Sequence, residues 1–445
     1  MSVVQTSSEL ASQTVWPMDR IKDHVEKIGS GVTPSGGATS YLDVGIPLLR
    51  SQNVHFDSLR LDDVAYISEE THEEMRGTKL HDRDVLLNIT GASIGRCSFV
   101  PDGFGEGNVN QHVCIIRPTP KLDYKFLTYC LSAPWGQDQI LSSFTGASRQ
   151  GLGQRDLGEI RVPLPPLPEQ QRIAAYLDAS CAAIDAAVAA KRRQLETLEA
   201  LRKSVINHAV TEGVRETSAL QATGVDWFPK IPARWRVIRF KNLFQDIYRY
   251  PTYFNIDYVP AGISEVRGEA LTAEGFIKTL VGERYISPET SAQFPRTQLQ
   301  LDDIVMSVRG TMGKIGLVDQ RYVGANITAN LLRLSPDQRW VSGAFLRWLM
   351  QSTYFNEALN SGAPQTTIKT ITMPQLAKLL VALPPKDEQL LIQSNLQEKT
   401  AEVDGVERSI TQQIATLAAY RKSLIHECVT GQRRVTDEDL RQTQQ

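Results

Sequence analysis

Val162–Leu177 reads VPLPPLPEQQRIAAYL and Val381–Leu396 reads VALPPKDEQLLIQSNL, so Leu-Pro-Pro-x-x-Glu-Gln-x-x-Ile occurs twice at an offset of 219 residues. The offset recurs along the chain. Trp16 matches Trp235, Arg20-Ile21-Lys22 matches Arg239-Phe240-Lys241, and Asp84-Val85-Leu86-Leu87 matches Asp303-Ile304-Val305-Met306. Phe126-Leu127 matches Phe345-Leu346, Arg202-Lys203-Ser204 matches Arg421-Lys422-Ser423, and Val210-Thr211 matches Val429-Thr430. Register slips by one residue after Gly91/Gly310 and by three between GASRQGL and GAPQTTI, and is regained each time. Self-similarity of this kind marks a tandem duplication. Whatever this chain folds into is built twice.

Each copy has two parts. The first is punctuated by Gly, Pro and Asn and carries short apolar runs, DVLLNITGASIG and HVCIIRP, then DIVMSVRGTMGKIG and NLLRLSP. Such runs ending in turn residues read as strands. A helical stretch follows, DYKFLTYCLSAPWGQDQIL and VSGAFLRWLMQSTYFNEAL, giving a mixed α+β domain. The second part is one long helix. Pro168-Glu169 suits its start, since proline fits the first turn and an acid complements the N-terminal dipole. Ile173, Leu177, Ile184, Val188, Leu195, Leu198 and Val205 then recur on a heptad seam, matched by Ile392, Leu396, Val403, Val406, Ile410, Leu417 and Leu424. Lys191 and Arg202 interrupt it. A helix of about 44 residues rises ~66 Å, too far for one small domain to cover. The seam therefore predicts two long helices paired as a coiled coil. The predicted layout is a globular domain over 1–163, a long helix over 164–219, a second globular domain over 220–382, and a second long helix with a C-terminal tail over 383–445.

Two like units joined through long helices tend toward pseudo-two-fold symmetry, as in a dimer fused into one chain. Antiparallel pairing makes such a body a spacer with a reader at each end, a geometry suited to duplex DNA and its half-sites. Charge refines the picture. The whole chain carries a net charge of −2, which disfavours bulk electrostatic binding to nucleic acid. Residues 1–163 hold 15 basic against 20 acidic groups, whereas 220–382 hold 18 against 13. The first domain thus gains little from phosphate neutralisation. No signal peptide or membrane span is read. Five cysteines without C-x-x-C spacing suggest reduced thiols in a cytoplasmic protein. His112 and Cys114, the nearest approach to a metal half-site, read as ordinary strand residues, and no metal site is expected.

Three features together carry a family resemblance: the LPPLPEQ…I start of a long helix, its RKSVINHAVTEG end, and TGVDWFPKIPARW before the second domain. The chain resembles, over essentially its whole length, the specificity subunit of type I restriction–modification systems. The resemblance implies that each globular part is a target-recognition domain for one half of a bipartite, asymmetric site in double-stranded DNA. It implies that the helices form an antiparallel coiled coil setting the gap between halves. It further implies a non-catalytic subunit, with two methyltransferase subunits and ATP-driven restriction/translocase subunits as partners. S-adenosylmethionine, ATP and magnesium would then sit on those partners and none on this chain. The first copy departs from the pattern: it lacks the Gly-x-x-Trp-x-x-x-Ile-Pro lead of Gly224, Trp227, Ile231 and Pro232. The segment after Val429 is expected to lie against the one before Trp16, completing the symmetry.

No catalytic residues are assigned. Both Pro-Pro pairs follow Leu rather than standing in an adenine-methylating tetrapeptide, and no phosphate-binding G-x-x-x-x-G-K-[ST] loop occurs. A nuclease-like pattern of Pro101, Asp102, Asp123 and Lys125 is loose, and the second copy has Ser342 and Ala344 at the last two places. Base readers need forked donors and acceptors, and phosphate contacts need Arg, Lys, Ser and Thr. Loops of the first copy offer Arg50, Gln52, Asn53, Asn88, Thr90, Asn108, Asn110, Gln111, Arg149 and Gln150. Those of the second offer Arg249, Tyr250, Tyr253, Arg309, Thr311, Lys314, Asn326, Thr328, Asn330, Gln365, Thr366 and Lys369. Any one of them could equally be a polar residue capping a turn. A coiled-coil adaptor with two protein-binding heads, or a specificity subunit without active partners, is the alternative reading.

Overall fold

The computed structural model describes residues 14–145, 151–215, 219–249, 256, 258–309, 313–361 and 372–443. They form two compact units, one lying within residues 14–191 and 411–443, the other within 192–410. Each long helix is divided between them.

In the first unit an antiparallel sheet runs Val25–Ser30, Val113–Pro118, Val85–Asn88, Cys97–Phe99 in spatial order. A smaller sheet orders Ala65–Ile67, Ile46–Leu49 and Asn108–Val109, the last pair parallel. Met18–Arg20 pairs with Arg161–Pro163. The second unit repeats this. Its four strands are Phe244–Arg249, Leu331–Pro336, Ile304–Ser307 and Ile315–Leu317; Ile263–Val266 lies parallel to Asn326–Ile327; and Arg236–Arg239 pairs with Leu380–Leu383. Even the irregularities recur: the first strand of each larger sheet bulges at Val25/Lys27 and at Phe244/Asp246. Arg83 and Asp302, the two non-glycine residues with φ of 71° among those described, are also 219 apart.

The apolar run Val85-Leu86-Leu87 is continuous because both faces of its strand are covered. Val85 and Leu87 enter the core that includes Phe126 and Ile173, while Leu86 enters a second core with Leu49 and Val109. The strand behind the run is anchored by a buried ion pair, Asp84 Oδ1 with Arg117 Nε at 2.7 Å, and in the second unit Asp303 Oδ2 with Arg333 Nε at 2.6 Å.

Both long helices run 45 residues, Leu167–Thr211 and Lys386–Thr430, and their ends match at the 219 offset. The repeated Glu-Gln explains how each starts. Gln170, 1% exposed, accepts from Asp123 N at 2.8 Å and donates to Lys121 O and Pro165 O at 3.1 and 2.9 Å. Gln389, 2% exposed, accepts from Ser342 N at 3.4 Å and donates to Trp340 O and Pro384 O at 2.8 and 3.0 Å. One amide in each copy thus ties the Pro-Pro turn to the loop leading into the domain's own helix, satisfying backbone groups that burial would otherwise strand.

Within each unit, portions of the two long helices run antiparallel. In the first, Asp185 Oδ1 lies 3.5 Å from Arg421 Nε and Lys191 donates to Gln413. In the second, Arg202 pairs with Asp404 and with Glu407. Arg421–Asp185 and Arg202–Asp404 are the same pair at the 219 offset, with the helices exchanged. The seam breaks at Lys191 and Arg202 are therefore interhelical polar contacts. Ile173, Leu177, Ile184, Ile392, Leu396, Ile410 and Leu424 are buried, and Val188, Leu195, Leu198, Val205, Val403 and Leu417 half-buried. Val406 is 47% exposed and lies off the seam, where Glu407 faces Arg202 instead.

The first long helix contains an 18-residue window of mean hydropathy 1.5, alanine-rich enough to suit a membrane by length and composition. Here Ile173, Leu177, Cys181 and Ile184 of that helix pack into the core of the first unit, while Arg172, Asp178 and Asp185 make ion pairs. The segments before Trp16 and after Val429 meet as expected: Val15 N donates to Thr430 O at 3.1 Å, and Gly431 abuts the Trp16 indole. All five cysteines are unpaired and buried.

Candidate nucleic-acid interface

Three loops of the first unit converge through backbone bonds. Asn110 N donates to Leu49 O at 3.0 Å and Ile89 N to His112 O at 3.0 Å, drawing residues 50–53, 88–90 and 110–112 together. Asn88 adds a side-chain tie, Nδ2 to Ser51 O at 2.7 Å, and Thr90 Oγ1 bonds His112 Nδ1 at 2.6 Å. Gly151, beside Ile89 and Thr90, brings the next segment to the same place.

The second unit builds the cluster again. Thr328 N donates to Val266 O at 3.1 Å and Val308 N to Asn330 O at 3.0 Å, gathering residues 266–268, 308–309 and 328–330. Matched by strand register, the frame is shared and the side chains are not: Gln52 corresponds to Glu269, Thr90 to Arg309, Asn110 to Thr328 and His112 to Asn330. Arg50 and Arg267 are the exception. Each holds a backbone carbonyl, Asp63 O at 3.0 Å and Gly282 O at 3.2 Å respectively, and each has a buried Nε without a partner. Arg267 escaped the sequence reading because it stands 217 residues after Arg50, off the 219 offset; the shared strand register, Leu49 beside Val109 and Val266 beside Ile327, is what matches the two.

The sequence candidates divide by burial. Gln52, Gln111, Arg309, Lys314 and Asn330 are exposed, and Arg50, Thr90, Arg249 and Thr328 half-buried. Asn53, Asn88, Asn108, Asn110 and Asn326 are buried. Asn53 closes its own loop, accepting from Arg50 N at 2.9 Å and donating to Arg60 O at 2.8 Å. Asn108 bonds His72, Met75 O and Thr78, away from the cluster, and Asn326 bonds Ser291 and Thr297 at the equivalent place. These five amides brace loops instead of lining a surface. Arg149, Gln150, Tyr250, Tyr253, Thr311, Gln365, Thr366 and Lys369 lie outside the described residues.

The nuclease-like pattern resolves into structural roles. Asp123 caps the helix Tyr124–Ser132 by accepting from Phe126 N, as Ser342 caps Gly343–Gln351. Lys125 pairs with Asp178 at 2.6 Å and Asp102 with Arg83 at 2.7 Å. One titratable group borders the second cluster: burial raises the Glu265 carboxyl above its usual range, opposed by the Tyr258 hydroxyl, which donates to it at 3.0 Å.

This architecture, two duplicated α+β domains presenting unlike loops and joined to paired long helices, defines a class. Residues 37–197 match the family model for the type I restriction modification DNA specificity domain. The chain is 25% identical over 97% of its length to the type I restriction enzyme EcoBI specificity subunit of Escherichia coli, 91% of which is covered. It is 22% identical to the type I restriction enzyme MjaVIII specificity subunit of Methanocaldococcus jannaschii, over 80% of each chain. Among solved structures, a chain from a study of assembly and conformational transition in the type I R-M system superposes with a TM-score of 0.70 at 17% identity, over 93% of this chain and 97% of that one. The HsdS subunit from Thermoanaerobacter tengcongensis gives a TM-score of 0.55 at 17% identity, over 94% and 97%. Residues 37–197 thus match a type I DNA specificity domain, and along most of its length the chain is similar to type I restriction enzyme specificity subunits.

Proposed function

We propose that this chain directs a DNA adenine methyltransferase and restriction complex to a bipartite, asymmetric site in double-stranded DNA, each loop cluster reading one half and the helices setting the spacer. The observation that carries this reading is the doubled cluster, one frame bearing two sets of side chains. A duplicated frame supplies two equivalent docking poses, and unlike side chains at matched positions read unlike bases. The exposed and half-buried candidates, Arg50, Gln52, Thr90, Gln111, Arg249, Arg309, Lys314, Thr328 and Asn330, together with Arg267, are the proposed contacts; the buried asparagines hold the loops to shape. Two methyltransferase subunits carrying S-adenosylmethionine, and restriction/translocase subunits using ATP and magnesium, are the proposed partners in the cytoplasm.

The test is a map of methylated adenines in cells co-expressing this chain with its methyltransferase. The expected result is one motif with two unlike halves, a fixed gap and marks on opposite strands, of which exchanging residues 220–382 alters one half only. Co-expression that adds no methylation, while the chain still binds proteins through its helices, would favour an adaptor. Because residues 1–163 are net acidic, the isolated chain should bind DNA weakly, with partners completing a positive clamp. Nanomolar mobility shifts at physiological salt would refute that part.

A further inference from the structure

In the second unit a cleft of about 650 Å³ lies between the helix Gly343–Gln351 and the adjoining parts of the long helices, lined among others by Arg202, Phe276, Arg347, Trp348, Gln351 and Gln397. Arg347 is 93% buried by its 7% exposure, yet makes no ion pair among the described residues. Two aromatic rings lie against it, with the guanidinium carbon 3.8 Å from the Trp348 ring centre and 4.4 Å from that of Phe276. Its Nη1 donates to Glu274 O at 2.7 Å, and its Nε is buried without a partner. One helical turn on, Gln351 Nε2 is likewise a buried donor without a partner, and a Cβ built on Gly275 would touch both side chains. Burial alone lowers the Arg347 pKa, to about 10, with no neighbouring acid offsetting it.

The first unit shows what completes such a cleft. There Asp178, on the long helix, receives Lys125 Nζ at 2.6 Å and the Tyr129 hydroxyl at 2.7 Å. At matching positions the second unit has Gln397 for Asp178, Ala344 for Lys125 and Trp348 for Tyr129, with the cation moved one turn along to Arg347. The carboxylate of the Asp178 position is gone, and the two acids that line the cleft are turned to other cations, Asp404 to Arg202 and Glu274 to Arg202 and Lys278; a desolvated cation without an ion pair remains. With two aromatic rings against the guanidinium and Nη1 engaged, the unpartnered Nε is a donor left for an in-plane acceptor, the geometry a carboxylate matches.

We propose that this cleft receives an acidic side chain from a methyltransferase subunit, with Arg347 as the receiving cation and Gln351 swinging aside as a second donor. This rests on the assembly proposed above. A buried charge without a counter-ion costs stability in the free chain and returns it on docking. The two effects therefore have opposite signs, which a merely structural arginine would not give.

The experiment uses the full chain and its methyltransferase subunit. R347M, which keeps the apolar stem, should melt higher than wild type as a free chain yet bind the subunit about 100-fold more weakly, the scale of losing one partner of a desolvated charge pair. R347K should retain part of the affinity, and zero-length carbodiimide coupling in that complex should join the introduced amine to an Asp or Glu of the subunit. An R347M chain that melts lower and loses affinity only in proportion would make the arginine structural and overturn the proposal. Coupling to an acid of this same chain would overturn it as well, as would phosphate or citrate raising the wild-type but not the R347M melting temperature without any inter-subunit coupling. If the wild-type chain fails to bind the subunit, the proposed function falls and this falls with it. If wild type and R347M assemble and methylate alike, only this inference is lost.

Discussion

Replacing Gln170 by alanine isolates the repeated motif's structural role. The side chain is 1% exposed and satisfies three backbone groups, Asp123 N, Lys121 O and Pro165 O, at 2.8, 3.1 and 2.9 Å. Truncation leaves all three without that partner, at about 1 kcal/mol each, so a loss of about 2–3 kcal/mol is expected, the part-buried Asp123 N and Lys121 O being the ones water can reach. The same change at Gln389 should cost slightly less, because its bond to Ser342 N is long at 3.4 Å. For a unit of this size about 2–3 kcal/mol lowers the melting temperature by roughly 4–12 °C. Two units make a single global transition an unsafe readout, so native-state hydrogen exchange at Asp123 N–H and Ser342 N–H is the sharper assay. The isosteric Gln170→Glu is the control. It keeps the volume but turns an acceptor toward Lys121 O and Pro165 O, so at neutral pH it should be no milder than alanine. A loss under about 0.5 kcal/mol for both alanine variants, or a glutamate milder than alanine, would refute the reasoning.

Three further outcomes follow from particular contacts. Asp303→Asn breaks an ion pair whose side chains are 3% and 8% exposed, and should destabilise the second unit by about 3–5 kcal/mol in urea titrations. Because burial raises the Glu265 carboxyl pKa, its contribution is fully present below the unfolded value and lost as pH rises through the folded one; Glu265→Gln should therefore gain stability over wild type at alkaline pH and lose that advantage in acid. Gly431→Ala places a Cβ 2.5 Å from Trp16 Nε1 on a backbone with φ of +77°, and should cost at least about 1–2 kcal/mol and loosen the Val15–Thr430 closure, read by exchange at the Val15 amide.

What could be read before the structure was whatever has a period. The duplication, the two long helices and the DVLL-type strands all announce themselves by spacing, and the helix limits coincide with the repeat to the residue. Direction of a polar side chain has no period. Asn108 in NVNQ and Asn326 in NITAN sit in the same kind of loop sequence as the exposed Gln111 and Asn330, yet the asparagines turn inward to bind backbone and hydroxyl groups. Asn is the residue for which this is hardest to foresee, because its amide satisfies a buried loop as well as it reads a base. Gln170 was visible as part of a repeated string, but its function depends on a loop 47 residues away in sequence, which no local pattern discloses. Arg347 stood in plain view within the apolar LRWLM run; what the string could not say is that no acid among the described residues pairs with it.

Comparison of the two copies separates scaffold from specificity without any other sequence. The features held in both are those that fix backbone: the Gln170 and Gln389 ties, the Asp84 and Asp303 anchors, the inward Asn108 and Asn326, and the reciprocal Arg421–Asp185 and Arg202–Asp404 pairs. The features that differ lie on the loops those ties support, Thr90 against Arg309 and Gln52 against Glu269. Had the two heads served one identical partner twice, their loops would have had the same reason to agree as the scaffold. Their divergence on an agreed frame supports the proposal of two different targets read in one pose, which predicts that exchanging one head changes one half of the recognised site with the fold left intact.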